Sequence, residues 1–181
     1  RTLERLLSRF VEQLPALRTI HQDLAVPAGI IDSISRAVSE RGDVLDGASP
    51  ELAAIRAQLK VSHDRLISRL ERILNDPKQS AMLQEPIITQ RGGRYVIPLR
   101  AEFKGQLRAI IHDQSSSGAT YFVEPLAVVE MNNQYHELQL AERDEVRRVL
   151  AALSGMVGEA ADEINETVAG LAAFDLALMC A

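Results

Sequence analysis

Leu52, Leu59, Leu66 and Ile73 fall seven residues apart, with Ile55, Ile67 and Leu70 beside them. Such spacing lays an apolar stripe along one face of a long helix. A second helical pattern starts after Pro125, marked by Leu126, Val129, Leu138, Val146, Val149, Leu150, Leu153, Val157, Ile164, Val168 and Leu171. Between the two, residues 84–125 lose the helical period and read as short β-prone runs. A chain with two long stripes must bury them against each other or against further helices. The expected fold is therefore mainly α with a small antiparallel β insert, long antiparallel helices carrying that insert at their tip.

The boundaries follow from local chemistry. Ser49-Pro50-Glu51 combines an N-cap serine, a proline at the first helical position and an acid in the first turn, so a helix starts there. Asn75-Asp76-Pro77 ends or weakens it. Gly155, Gly158 and Gly170 predict a bend or break in the second pattern, each costing about 1 kcal/mol relative to alanine. Upstream, residues 1–25 and 31–40 read as helices interrupted by Pro27 and Gly29, followed by a loop over 41–47. The organisation expected is a helical segment over 1–48, an ascending helix over 49–83, a β-rich module over 84–124 and a descending helix over 125–181.

Composition narrows the class. Aromatic residues make up 4% of the 181 and Trp is absent, which suits helix-on-helix packing better than a sandwich. The single cysteine, Cys180, has no internal disulfide partner and fits a reducing cytoplasm. No apolar run reaches the ~18 residues of a membrane span. Arg1 lies inside a helical pattern (Leu3, Leu6, Leu7, Phe10), which reads as a piece of a longer polypeptide. From Ser49 to Leu83 six Lys/Arg meet four Asp/Glu, whereas from Pro125 onward three meet ten. A mildly basic helix beside an acidic one is expected, with each exposed pair adding about 0.2–1 kcal/mol.

The insert carries the chain's densest mixture of Arg, Gly and Ser. Arg91-Gly92-Gly93-Arg94 centres a hairpin between Ile87–Gln90 and Tyr95–Ile97, because paired glycines supply the positive dihedrals of a tight turn. Leu107–Ile111 and Thr120–Val123 form a second pair. Tyr95, Phe103, Tyr121 and Phe122 read as the private core of this small sheet rather than as base-stacking platforms. Arg91, Arg94, Arg100, Lys104 and Arg108 are the candidates for contact with a phosphate backbone, the alternative being a solvated hairpin balanced by Glu85, Glu102, Asp113 and Glu124. The net charge of −5 excludes a basic protein that coats DNA, but not a local contact.

His112, Asp113 and Ser115 to Ser117 invite a hydrolase reading, which spacing disfavours. His112 and Asp113 are neighbours at a strand end and are expected on opposite faces. No G-x-S-x-G elbow and no phosphate-cradling G-x-x-x-x-G-K-[ST] occurs. His21, His63 and His136 stand alone at helical positions, so no metal site and no catalytic residue is expected.

The run His112-Asp113-Gln114-Ser115-Ser116-Ser117-Gly118-Ala119-Thr120-Tyr121-Phe122-Val123-Glu124-Pro125, followed by Asn132-Asn133, resembles a signature of the MutS superfamily, in its second bacterial type, MutS-two. Arg91 to Pro98 is similar to that family's preceding hairpin, and Ala48-Ser49-Pro50-Glu51-Leu52 to its helix start. The resemblance is strongest over residues 46–150 and implies the core and lever helices, with the β module as the clamp at the lever's tip. It further implies a homodimeric parent with an ATPase using ATP and Mg and, in many members, an Smr endonuclease domain. Neither motif is present in this chain, so no cofactor is expected here. The implied partner is DNA, branched or duplex and bound without sequence specificity, in the suppression of homologous recombination. The alternatives are a structural lever that dimerises, or a clamp that engages collided ribosomes. The motif match extends to Arg91 and Arg94, whereas Arg100, Lys104 and Arg108 rest on charge alone.

Overall fold

The structure, a computed structural model, describes residues 28–179; the helix expected over residues 1–25, Pro27, His21 and Cys180 lie outside them. Helix α1 spans Ala28–Ala37. A 3-10 turn at Asp46–Ala48 leads to α2, Pro50–Leu74, and a short α3, Pro77–Ser80. Four strands follow: β1 Thr89–Arg91, β2 Arg94–Arg100, β3 Ala109–Gln114 and β4 Thr120–Pro125. The chain then enters α4, Val129–Glu159, and α5, Ala161–Met179. The described chain is mainly helical with one four-stranded antiparallel sheet, ordered β1-β2-β4-β3.

Two compact units divide these elements. One is Pro50–Val146; the other comprises, of the described residues, 28–49 and 147–179. In the latter, Val38 and Val44 form an isolated bridge closing the turn after α1, and Ala37 and Val149 are buried. Gly29 lies within α1 rather than interrupting it. The break in the second long pattern falls at Ala160, just past Gly158, so the two earlier glycines remain helical.

In the Pro50–Val146 unit, α2 begins at Pro50 and ends at Leu74. Asp76 then restarts the helix, its carboxylate accepting the Lys78 N–H at 2.9 Å. The Gln79 side chain and the Lys78 amide hold the Asp76 carboxyl below its ordinary value of 3.8. One core serves helix and sheet together: Leu66, Leu70 and Ile73 from α2 meet Leu83, Ile97, Leu99, Val123 and Val128. Each such side chain contributes roughly 1.5–3 kcal/mol by leaving water. Phe103, Leu107 and Tyr121 pack against the same cluster. The stripe after Pro125 is narrower than its periodicity suggests: Leu126, Leu150, Val157, Val168 and Leu171 are exposed, while Asn132, Glu145 and Val149 are buried.

Candidate nucleic-acid interface

The Gly92-Gly93 turn forms as expected of paired glycines, with φ of 57° and 79°. Its position differs from that of a free hairpin tip. The sheet register pairs Ile97 with Val123 and Arg100 with Thr120, which puts the glycine turn at the end of the sheet where Pro125 leads into α4. The turn Ser115 to Gly118 lies at the opposite end. Tyr95, just past the glycines, sits 5.5 Å from the His63 ring of α2 and 5.7 Å from Tyr135 of α4. The hairpin is therefore drawn back onto the helix pair. Burial, with the Tyr95 hydroxyl next in weight, pushes the Tyr135 phenol above its ordinary value.

Arg94 has an internal role. Its Nη1 donates to Glu124 Oε1 at 2.8 Å, and its Nη2 donates to Asn133 Oδ1. Asn132 Nδ2 also donates to Glu124 Oε1, at 2.8 Å, and His112 Nε2 donates to Oε2. Asn132 completes a two-point bond with the Tyr95 backbone, accepting from its N–H and donating to its carbonyl, both at 3.0 Å. Glu124 is wholly buried, and no buried side-chain polar atom among the described residues lacks a partner. A buried carboxylate is tolerable only with such a complete set of donors. This network fastens β2, β3 and β4 to the start of α4.

Arg91 is also engaged. Its Nε lies 3.1 Å from Asp113 Oδ2, and its guanidinium sits 3.8 Å over the Phe122 ring. His112 and Asp113, expected on opposite faces, instead both serve the face of β4 that carries Phe122 and Glu124. The register shift between Ile111 and Asp113 is a β-bulge, which places two consecutive side chains against one partner strand. Two of the three serines are occupied in the turn: Ser115 Oγ accepts the Thr120 N–H at 3.1 Å and contacts Ser117 Oγ at 3.3 Å. His112 faces Glu124 instead of the serines.

The other three candidates lie on or beside the β2–β3 connection and face solvent. Arg100 approaches Glu102 only at 3.9 Å and is 46% exposed. Lys104 Nζ rests 4.9 Å over Tyr121 and forms no ion pair among the described residues. Arg108 is exposed and likewise unpaired among them. The connection runs the length of the sheet, bonded through the Ala101 N–H to Ala119 at one end and through the Arg108 carbonyl to Leu126 at the other. The five candidates thus divide into two that hold the module together and three that it displays. Between the helices, the basic and acidic patterns meet at Arg56 Nε and Glu142 Oε1, 2.7 Å apart. Among the described residues no helix is long and apolar enough to cross a membrane, and no three His, Cys, Asp or Glu gather for a metal ion.

No family model matches the chain. Its curated relatives include proteins called Endonuclease MutS2. That from Thermomicrobium roseum is 45% identical over 94% of this chain and 21% of its own length. That from Symbiobacterium thermophilum is 42% identical over 96% and 22%. That from Pelotomaculum thermopropionicum is 41% identical over 97% and 22%. The chain therefore spans about a fifth of the length of these relatives.

Proposed function

The chain belongs to the MutS2 family, as a segment of a longer protein of that type, and from that premise we propose that it works as a non-catalytic DNA-binding clamp on a helical lever. The module grips the sugar-phosphate backbone of branched or duplex DNA without reading its sequence, and the helices pass its position to the parent's ATPase. In the cell this serves to suppress homologous recombination. The observation that carries the reading is the exposure of Lys104 and Arg108, neither in an ion pair among the described residues, on a connection otherwise pinned to the core by Phe103 and Leu107. Cations carried on a backbone already pinned to the core cost little further backbone entropy on meeting phosphates, and non-specific affinity rests on such contacts. Arg91 and Arg94 support the grip indirectly, by holding the sheet in shape.

The test is binding of a four-way junction and a linear duplex by the intact protein, with Arg100→Gln, Lys104→Gln and Arg108→Gln combined. Weaker binding and a flatter salt dependence are expected. Unchanged affinity and slope would remove the clamp reading.

A second reading, subunit contact, is favoured by α5, which exposes Val168, Leu171 and Leu176. Light scattering of Val168→Ser, Leu171→Ser and Leu176→Ser variants reports on it: a shift from dimer to monomer supports subunit contact, and an unchanged mass rejects it.

A further inference from the structure

Helix α2 displays a second basic surface that the insert's composition does not reveal. Arg65, Arg69 and Arg72 are separated by four and three residues, so they lie within an arc of about 60° and at about 6 and 10 Å along the axis. All three are exposed, and none forms a hydrogen bond or ion pair among the described residues. They border one shallow groove together with Ser68 and Met131. Arg69 also borders the adjoining groove, whose far side carries Arg108. Arg65, Arg69 and Arg72 therefore form a ridge on α2, and Arg69 shares a groove with Arg108 of the β2–β3 connection. Asp64 is the acid on its border and is turned toward His63, Nδ1 to Oδ1 at 3.5 Å, while Glu71 points about 130° away from the row's centre.

We infer that Arg65, Arg69 and Arg72, with Arg108, form a track for the phosphate backbone of a DNA duplex running along the flank of α2. The inference rests on the clamp reading and relocates most of its contact from the sheet to the helix. Charge complementarity selects a polyanion. The form of the row selects a duplex. A straight, helix-borne row of cations matches a stiff, regularly charged rod. Single-strand binders instead combine cations with exposed rings on which bases stack, and residues 61–72 contain no Phe, Tyr or Trp. The one ring in that stretch, His63, is turned to Tyr95 and Tyr135.

Arg65→Gln, Arg69→Gln and Arg72→Gln, combined in the intact protein, test the track through the slope of log affinity against log salt. Duplex DNA, duplex RNA and a single strand of equal length are the probes. With duplex DNA the slope should fall in magnitude by about 2.7, from three contacts at about 0.9 each, while the melting temperature stays within a few degrees. The single strand should lose much less. If the helix variant keeps the wild-type slope while the Arg100, Lys104 and Arg108 variant lowers it, the track is wrong and the clamp reading stands. If neither variant changes a slope that the wild type shows, both readings fail. Equal loss on the single strand overturns the choice of a duplex, and a loss confined to duplex RNA overturns the choice of DNA.

Discussion

Arg94 and Arg69 carry the same guanidinium in the same unit and put it to opposite uses. Around Arg94 the sheet gathers a buried carboxylate, a histidine and two asparagines, each partner satisfied and each contact within the protein. Around Arg69 the flank of α2 offers two further arginines and no partner for any of them among the described residues. The first region is a fastening; the second is a display. A motif dense in arginine is thus a poor guide to where a polyanion lands, because availability depends on what each side chain already holds. The signature residues Glu124, Asn132 and Asn133 belong to the fastening, so the resemblance they carry is a resemblance of folding.

The contrast is sharpest in stability. Glu124→Ala leaves Arg94 and His112 beside an empty, buried site, and should cost about 3–5 kcal/mol in urea unfolding. A loss below about 1 kcal/mol would mean the network is ornamental. Leu70→Ala, at the centre of the core shared by α2 and the sheet, should cost about 2–5 kcal/mol by the same measurement. Gly93→Ala forces a side chain into φ of 79° and should cost about 1–2 kcal/mol. Arg56→Ala removes a partly buried ion pair with Glu142 and should cost about 1 kcal/mol, shrinking in salt. At the other extreme, Arg69→Gln should leave stability within about 0.5 kcal/mol. A larger loss there would show that the ridge is a fastening too, and the contrast would collapse.

Much of the fold was legible because its signals are local. The start at Ser49-Pro50, the stop at Asn75-Asp76-Pro77 and the Gly92-Gly93 turn each depend on a few adjacent residues. The strands were legible in kind, with edges shifted unevenly: β4 begins at Thr120 as expected, β1 and β3 begin two residues late at Thr89 and Ala109, and β2 begins one residue early and runs on to Arg100. What eluded the sequence is non-local or unpunctuated. Arg94 and Glu124 lie 30 residues apart, and no periodicity links them. The bulge at Ile111 to Asp113 contains no Gly or Pro to announce it, so His112 and Asp113 were expected on opposite faces. The spacing of Arg65, Arg69 and Arg72 was in plain view. It carries little signal by itself, because those residues sit in a helix whose net charge is only mildly positive, while the insert concentrates the same residue type.

Arginine modification by phenylglyoxal, read residue by residue by mass spectrometry in the intact protein with and without a duplex, compares the two regions directly. Arg65, Arg69, Arg72 and Arg108 should react freely alone and become protected on the duplex, while Arg94 reacts slowly in both states and Arg41, exposed elsewhere, is unchanged. Protection that appears at Arg94 and not along α2 would contradict the division between fastening and display.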